Sequence, residues 1–506
     1  MKSWNLQKCG SGKPNNPGFR LGEIRVNFTY LPFGFQMRDF IPPSRQFANG
    51  LPLGRRQWLG ISTATGLAAS LGLDLKSVVA RTDSRKNQAK IDGFGKAKTV
   101  IMLFHLGGPP QHETWDPKPN APESIKGQFQ PISTTVPGIQ YSELMPLAAR
   151  HAKDICVIRS CTTADNAHSS SGYWMLTGVP HQPLQTENAK VGFPNDHPSF
   201  GALIRHLRPD RPGVPSAITL PEHIWNTGGI SWPGQDGGFL GRLSDPWLVH
   251  CDPSKSDFEI AGLSIPEEIG PDRILGRADL WETMAKRFPG HTPPQSRQMR
   301  DAFAMIRTGP IAKAFRIHEE NEKTRERYGK NRWGQSLLLT RRLVEVGVPF
   351  IQVNWTRLPG DTDDSPAWDT HNKNAERCKN HLLPISDLAF SALLDDLANR
   401  GLLDSTLVVW TGEFGRSPKH NGGGGRDHWG HAFSGALCGA GVRGGQVIGS
   451  TDRQGAFVKD DPVTPQDLRA TMLHAMGISP ETEVQDTLQR PIPACRGAVI
   501  PKVFQG

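Results

Sequence analysis

The sequence lacks any apolar run long enough to cross a membrane. Its only leader-like stretch, Ile61 to Leu73, is weakly hydrophobic and shorter than the roughly 20 residues a hydrocarbon core demands, so no stable span is expected. Cysteine is scarce, 7 in 506 residues, and none forms a CxxC pair, which removes the usual cysteine-ligated metal signature. No internal repeat, coiled-coil heptad or low-complexity tract occurs beyond Gly422 to Gly425, which argues against a solenoid or fibre. Charge of one sign is also missing where a nucleic-acid surface would need it. The net charge of +9 is concentrated in residues 1–80, with 10 basic and 3 acidic side chains, leaving 48 basic against 46 acidic in residues 81–506. Nucleic acid is therefore not an expected partner.

What is present reads as a loop-rich globular protein: 37% hydrophobic, 21% charged, 54 Gly and 42 Pro. Residues 1–80 form a leader. Arg55-Arg56 precedes the mild run Ile61 to Leu73, and Ser77-Val78-Val79-Ala80 offers small residues for cleavage near Ala80, the pattern of a twin-arginine signal peptide. Met37 is an alternative start to Met1, which the mass of the unprocessed precursor decides. The expected partner is the twin-arginine export machinery, and the expected location is periplasmic or secreted, in a bacterium. Outside the leader remain Cys156, Cys161, Cys251, Cys378, Cys438 and Cys495, an even six open either to disulfides or to buried free thiols.

Residues 81–506 read as one α/β domain. Thr99 to Phe104 is a continuous apolar, β-branched run ending in His105 and a Gly-Gly-Pro-Pro loop, as a buried parallel strand does. Helical periodicity over Gln335 to Val346 stops at Gly347 before a strand at Pro349 to Val353. The same grammar recurs over Leu382 to Leu397, Gly401 and the strand Thr406 to Trp410. This alternation predicts a mostly parallel central sheet sandwiched by helices. The stretch 209–308, rich in Pro, Gly, Trp and Asp, reads as an insertion over the sheet.

Four clusters carrying carboxylate and imidazole groups fall at or beyond predicted strand ends, where open α/β sheets place their sites. They are His105, His112 and Asp116; Asn166, His168 and Ser169-Ser170-Ser171; Asp369 and His371; and Glu413 with Arg426-Asp427-His428. A solvated loop explains any one of them alone. Gathering all four at one sheet edge requires pairing or a metal, because clustered carboxylates are otherwise costly. One or two divalent ions (Zn, Ca, Mg or Mn) are expected.

Gly107-Gly108-Pro109, Trp115-Asp116-Pro117-Lys118, Trp368 to His371, Gly401 to Val409, Gly412 to Pro418 and Gly425 to Trp429 occur in an order that resembles the DUF1501 family over roughly residues 98–500. That family is grouped by similarity with the alkaline phosphatase and sulfatase superfamily. The resemblance implies an alkaline phosphatase/sulfatase-like fold and metal-dependent hydrolysis of phosphate or sulfate esters. It implies Asp369, His371, Glu413 and His428 as metal ligands, with His112 or Asp116 completing the shell. Glu413 stands where the superfamily commonly has Asp, and Phe414 replaces the following His.

Sulfatases carry Cys/Ser-x-Pro-Ser-Arg ahead of Thr-Gly. Here His168-Ser169-Ser170-Ser171-Gly172 precedes Thr177-Gly178 at the same spacing, so formylglycine chemistry is excluded at that position. Three readings stay open: His168 attacks or binds metal, one of Ser169 to Ser171 supplies an activated hydroxyl, or catalysis has been lost. Arg416 or Arg426 would hold a non-bridging oxygen by two hydrogen bonds. The rival is a non-catalytic envelope protein that binds acidic polysaccharide or a protein partner. Trp225, Trp232 and Trp247 suit stacking on sugars, or simply pack loops.

Overall fold

A computed structural model describes residues 91–260, 263, 271–287, 309–359, 361–362 and 366–505. The expected leader, with Arg55, Arg56 and the cleavage point, lies outside the described residues. The elements that position the site are, in chain order, β1 (Thr99–His105), β2 (Ile155–Cys161), α1 (His168–Thr177), α2 (Phe200–Leu207), β3 (Ala217–Leu220), β4 (Trp247–Leu248), α3 (Arg332–Val346), β5 (Phe350–Trp355), α4 (Leu383–Asn399), β6 (Thr406–Thr411), β7 (Gly415–Arg416), β8 (His428–Trp429), β9 (Phe433–Cys438), β10 (Gln446–Ile448) and α5 (Pro465–Ala475).

Eight strands form one sheet in the order β10-β2-β9-β6-β1-β5-β3-β4. All neighbours are parallel except β9, which runs antiparallel to both β6 and β2. Every residue of β1, β5, β6 and β9 is buried, which explains why β1 reads as a near-continuous apolar run instead of an alternating one. Each large aliphatic side chain so buried contributes on the order of 1.5–3 kcal/mol. Helix α3 packs on α4, and α1 on α5. Gly347 caps α3 in the left-handed region, as its position predicted.

One expectation changes and one open alternative is decided. The stretch 209–308 is more than an insertion, since β3 and β4 from it extend the parallel sheet past β5. Their four and two residues, respectively, are too short to show periodicity. The six cysteines of the described residues are free thiols, five of them buried. Among the described residues no helix is long and apolar enough to cross a membrane.

Candidate metal centre

Strands β1 and β6 are parallel neighbours, with Phe104 opposite Thr411, so their carboxyl ends release two loops side by side. Gly107 N–H donates to Glu413 Oε1 at 2.7 Å across that gap. The loop carrying Asp369 lies on top, held by Trp368 N–H on Leu106 O at 2.9 Å. Gly107 has φ +106, and a Cβ there would sit 2.3 Å from Asp369 N, so only glycine lets the two backbones meet. The ribbon β7–β8 pairs Arg416 with His428, which delivers both side chains to Asp369.

Three ligand atoms converge. Asp369 Oδ1 lies 3.1 Å from His371 Nε2 and 3.1 Å from His428 Nε2, and the two Nε2 atoms are 2.8 Å apart. Both rings have the other nitrogen anchored: His371 Nδ1 is 3.2 Å from Asp427 Oδ1, and His428 Nδ1 donates to Asn166 O at 2.7 Å. Donation from Nδ1 turns the Nε2 lone pair inward, which is how metal-ligating histidines are oriented. Burial, then the charge on His168, pushes His428 down to about 3, so its ring is neutral.

His168 is the first residue of α1 and bridges the two carboxylates. Its Nδ1 is 2.8 Å from Glu413 Oε1 and its Nε2 is 3.2 Å from Asp369 Oδ2. Burial opposes its charge, but Asp369 and Glu413 outweigh burial and raise it to about 10. Burial likewise opposes ionisation of Asp369, and Arg416 with His168 overcomes it, holding the carboxyl well below its usual range. Glu413 is fully buried, and its Oε2 has no hydrogen-bond partner. Glu187, which no sequence pattern singles out, accepts the backbone N–H of His168 at 2.6 Å. His168, Glu187 and His428 form a second set of ligand atoms near one another.

Other expected residues are placed elsewhere. His112 Nε2 binds Gln454 O at 2.7 Å, and Asp116 pairs with Lys118 at 3.0 Å, Arg159 at 3.4 Å and Thr451 at 2.5 Å, so both brace the early loop instead of completing a shell with Asp369. His105 stacks among Trp333, Trp355, Trp368 and Trp410 as part of the core. Arg416 is fully buried and spends its donors on the carbonyls of Gly107, Gly108 and Arg426 and on Asp369 Oδ1, so it positions a ligand and presents no fork to substrate. Arg426 is as deeply buried, clamped by Glu113 and the carbonyls of Ile125, Ser417 and Pro418. The serines are equally engaged. Ser169 Oγ donates to Thr186 O and accepts from Ala189 N–H, Ser170 Oγ accepts from Thr186 N–H, and Ser171 Oγ donates to Glu413 O. Trp232 is buried against Phe104 and Trp247 packs on Phe315, which leaves Trp225 lining open space.

That space is a cavity of 250 Å³ bordered by His168, Glu187, Trp225, Arg357 and Asp369, so that of the three convergent residues Asp369 reaches its wall. The donor set of Asp369, His371 and His428 is oxygen and imidazole nitrogen, a chemistry that fits a divalent cation, while Glu413, expected as a fourth ligand, lies outside it and faces His168 and Gly107 N–H instead.

A family model described as a protein of unknown function, DUF1501, matches residues 97–504. The chain belongs to the DUF1501 family. Among curated proteins none matches its sequence. Solved structures similar to this DUF1501 chain include a phosphonate monoester hydrolase from Silicibacter pomeroyi (12% identity, TM-score 0.37, covering 81% of this chain and 77% of that one). A sulfatase from Pseudoalteromonas sp. is 14% identical, with TM-score 0.34 and coverage of 85% and 79%. An alkaline phosphatase superfamily protein from Vibrio parahaemolyticus is 11% identical, with TM-score 0.34 and coverage of 81% and 70%.

Proposed function

We propose that this DUF1501 protein is a divalent-metal-dependent hydrolase of phosphate or sulfate esters, exported by the twin-arginine route. The observation that carries the reading is the convergence of Asp369 Oδ1, His371 Nε2 and His428 Nε2 within 3.1 Å of one another, each ring anchored through its far nitrogen. Asp369, His371 and His428 would hold the cation, and Glu413 acts one step away, on His168. When bound, a divalent cation neutralises charge on an ester oxygen and lowers the pKa of water.

The chain's own residues do the rest. The cavity beside His168 receives the ester. Asp369 and Glu413 hold the His168 ring charged at the cavity wall, and its Nε2–H, shared with Asp369 Oδ2, would pass to the departing alcohol oxygen. Cleavage consumes one water and releases an alcohol and an inorganic anion, and the proton lost by water restores the imidazolium. Water is the attacking group because the Ser169, Ser170 and Ser171 hydroxyls are bound to the 186–189 loop and to Glu413. Arg416 fixes Asp369 from behind.

Metal analysis of purified protein, with hydrolysis of aryl phosphates and aryl sulfates in added Zn²⁺, Mn²⁺, Ca²⁺ or Mg²⁺, tests the reading. Wild type is expected to carry stoichiometric metal and to turn over one ester class. The Asp369→Ala/His428→Ala double variant loses the metal, and its rate falls on the order of a hundredfold or more. Absence of metal from both proteins overturns the proposal. Metal without turnover favours a polysaccharide-binding protein instead.

A further inference from the structure

Five arginines are buried among the described residues: Arg341, Arg342, Arg416, Arg426 and Arg469. Four of them face carboxylates. Arg341 and Arg342 pair with Glu320, Arg416 with Asp369, and Arg426 with Glu113. Arg469, on α5, has no such pair. Its three hydrogen bonds all leave from Nη1, to the carbonyls of Leu176, Thr177 and Pro198. Its Nε is buried without a partner. The edge formed by Nε and Nη2, the pair of parallel donors that grips a carboxylate or phosphate side-on, is left over. Burial drags the guanidinium down to about 10, countered only by Cys495 and Tyr173. Three carbonyls, two of them at the C-terminal end of α1, and the Phe200 ring at 5.8 Å offset part of the cost of burying this cation, and no carboxylate completes the compensation.

The same side chain lines a cavity of 120 Å³ with Thr177, Gln182, His197, Cys495 and Arg496. Arg496 is exposed on its outer rim and adds a second positive charge. The acids nearby are otherwise occupied or turned to other groups. Asp467 Oδ2 caps Thr464 at the start of α5 and its Oδ1 accepts from Ala498 N–H, while Asp196 acts on His197. The volume suits a small ion with a few waters and falls below the roughly 300 Å³ of drug-sized sites. We propose that this cavity binds a small free oxyanion, held by Arg469 through Nη2 and by Arg496. It is separate from the metal centre: Leu176 and Thr177 end the helix that begins with His168, about 14 Å away along its axis.

The experiment uses the full protein carrying Asp369→Asn and stripped of metal, so that anions at the metal centre do not contribute. Sulfate, phosphate and acetate are titrated by calorimetry against chloride at matched ionic strength, and crystals are soaked in selenate. Saturable binding is expected, with selenate density against Arg469. Tighter binding of acetate names a carboxylate as the ligand, and tighter sulfate or phosphate names an inorganic oxyanion. Arg469→Lys keeps the charge but loses Nη2, and is expected to weaken binding about tenfold. Arg496→Gln changes an exposed residue that folding does not need, and should weaken it about threefold. Heat no greater than that of chloride, or wild-type affinity in both variants, overturns the proposal, as does selenate density lying only elsewhere. None of these outcomes depends on esterase activity, so this site stands or falls apart from the proposed hydrolysis.

Discussion

His105 ends β1 and His168 contacts the loop that follows β6, and their surroundings leave the first neutral and the second charged. His168 has two carboxylates within 3.2 Å and is held protonated. His105 has four indole rings, Thr411 O at 3.2 Å and Ser386 Oγ at 3.3 Å, and burial pushes it down to about 3. Unfolding returns His105 to its ordinary value near 6.5. Between about pH 6.5 and 3 the unfolded chain therefore takes up a proton that the native state refuses, and stability falls as the pH drops through that window. Replacing His105 by Gln keeps a polar side chain and removes the titration. Urea unfolding at pH 7, 6 and 5 should show the wild-type stability falling more steeply than the variant's, by somewhat more than about 1 kcal/mol per pH unit once below 6.5. Equal slopes would show that His105 is not held neutral. At this scale the sequence carried residue type but not environment: His105 and Asp369 both looked like ligands, and only the tryptophans gathered from four distant segments separate them.

Gly107 shows how elements enforce the site. It leaves β1 at φ +106 and lies under the Asp369 backbone, where a methyl group would meet Asp369 N at 2.3 Å and Trp368 C at 2.6 Å. Backbone cannot rotate out of the way as a flexible side chain can, so Gly107→Ala should push the 368–371 loop off the β1–β6 loops and pull Asp369 away from His371 and His428. Metal affinity is expected to fall at least about tenfold. Gly401→Ala is the control, since Gly401 also has positive φ (+66) but open space around it; it shares the backbone strain and should keep full affinity. Equal affinities in the two variants would count against the close approach as the cause. The elements themselves were legible where the chain runs apolar and stops at glycine, as in β1, α3, α4 and β6. Strand β9 was not, because an antiparallel strand inside a parallel sheet leaves no local mark. Helix α1 was not expected as a helix, only as a segment beyond a strand end with its role left open, since its hydroxyls face inward and its apolar face is indistinct. For α5 a signal was present: Thr464 and Asp467 form a capping box around Pro465.

At the scale of the whole molecule, the convergent atoms come from segments far apart in the chain. Residue 168 meets residue 413, and residue 369 meets residue 428, above two sheet strands that are themselves separated by about 300 residues. A cation held by Asp369, His371 and His428 would therefore bind the native state and have almost nothing equivalent in the unfolded one. Ligands of that kind stabilise by RT ln(1 + [L]/Kd), about 2.7 kcal/mol at a hundredfold excess over Kd. Spread over a domain of this size, that corresponds to a shift of roughly 2–5 °C in Tm. Chelation with EDTA should lower the Tm of wild type by that amount, and back-titration with Zn²⁺ or Mn²⁺ should restore it. Asp369→Asn should start lower and respond to neither. The anion cavity at Arg469 is untouched by EDTA, so sulfate should still raise the Tm of the chelated protein. The two ligands would then act additively, because they rest on opposite ends of α1 and share no side chain. A chelator-insensitive Tm in wild type would mean that the convergence of Asp369, His371 and His428 is held by their own hydrogen bonds and by Arg416, with no cation taking part.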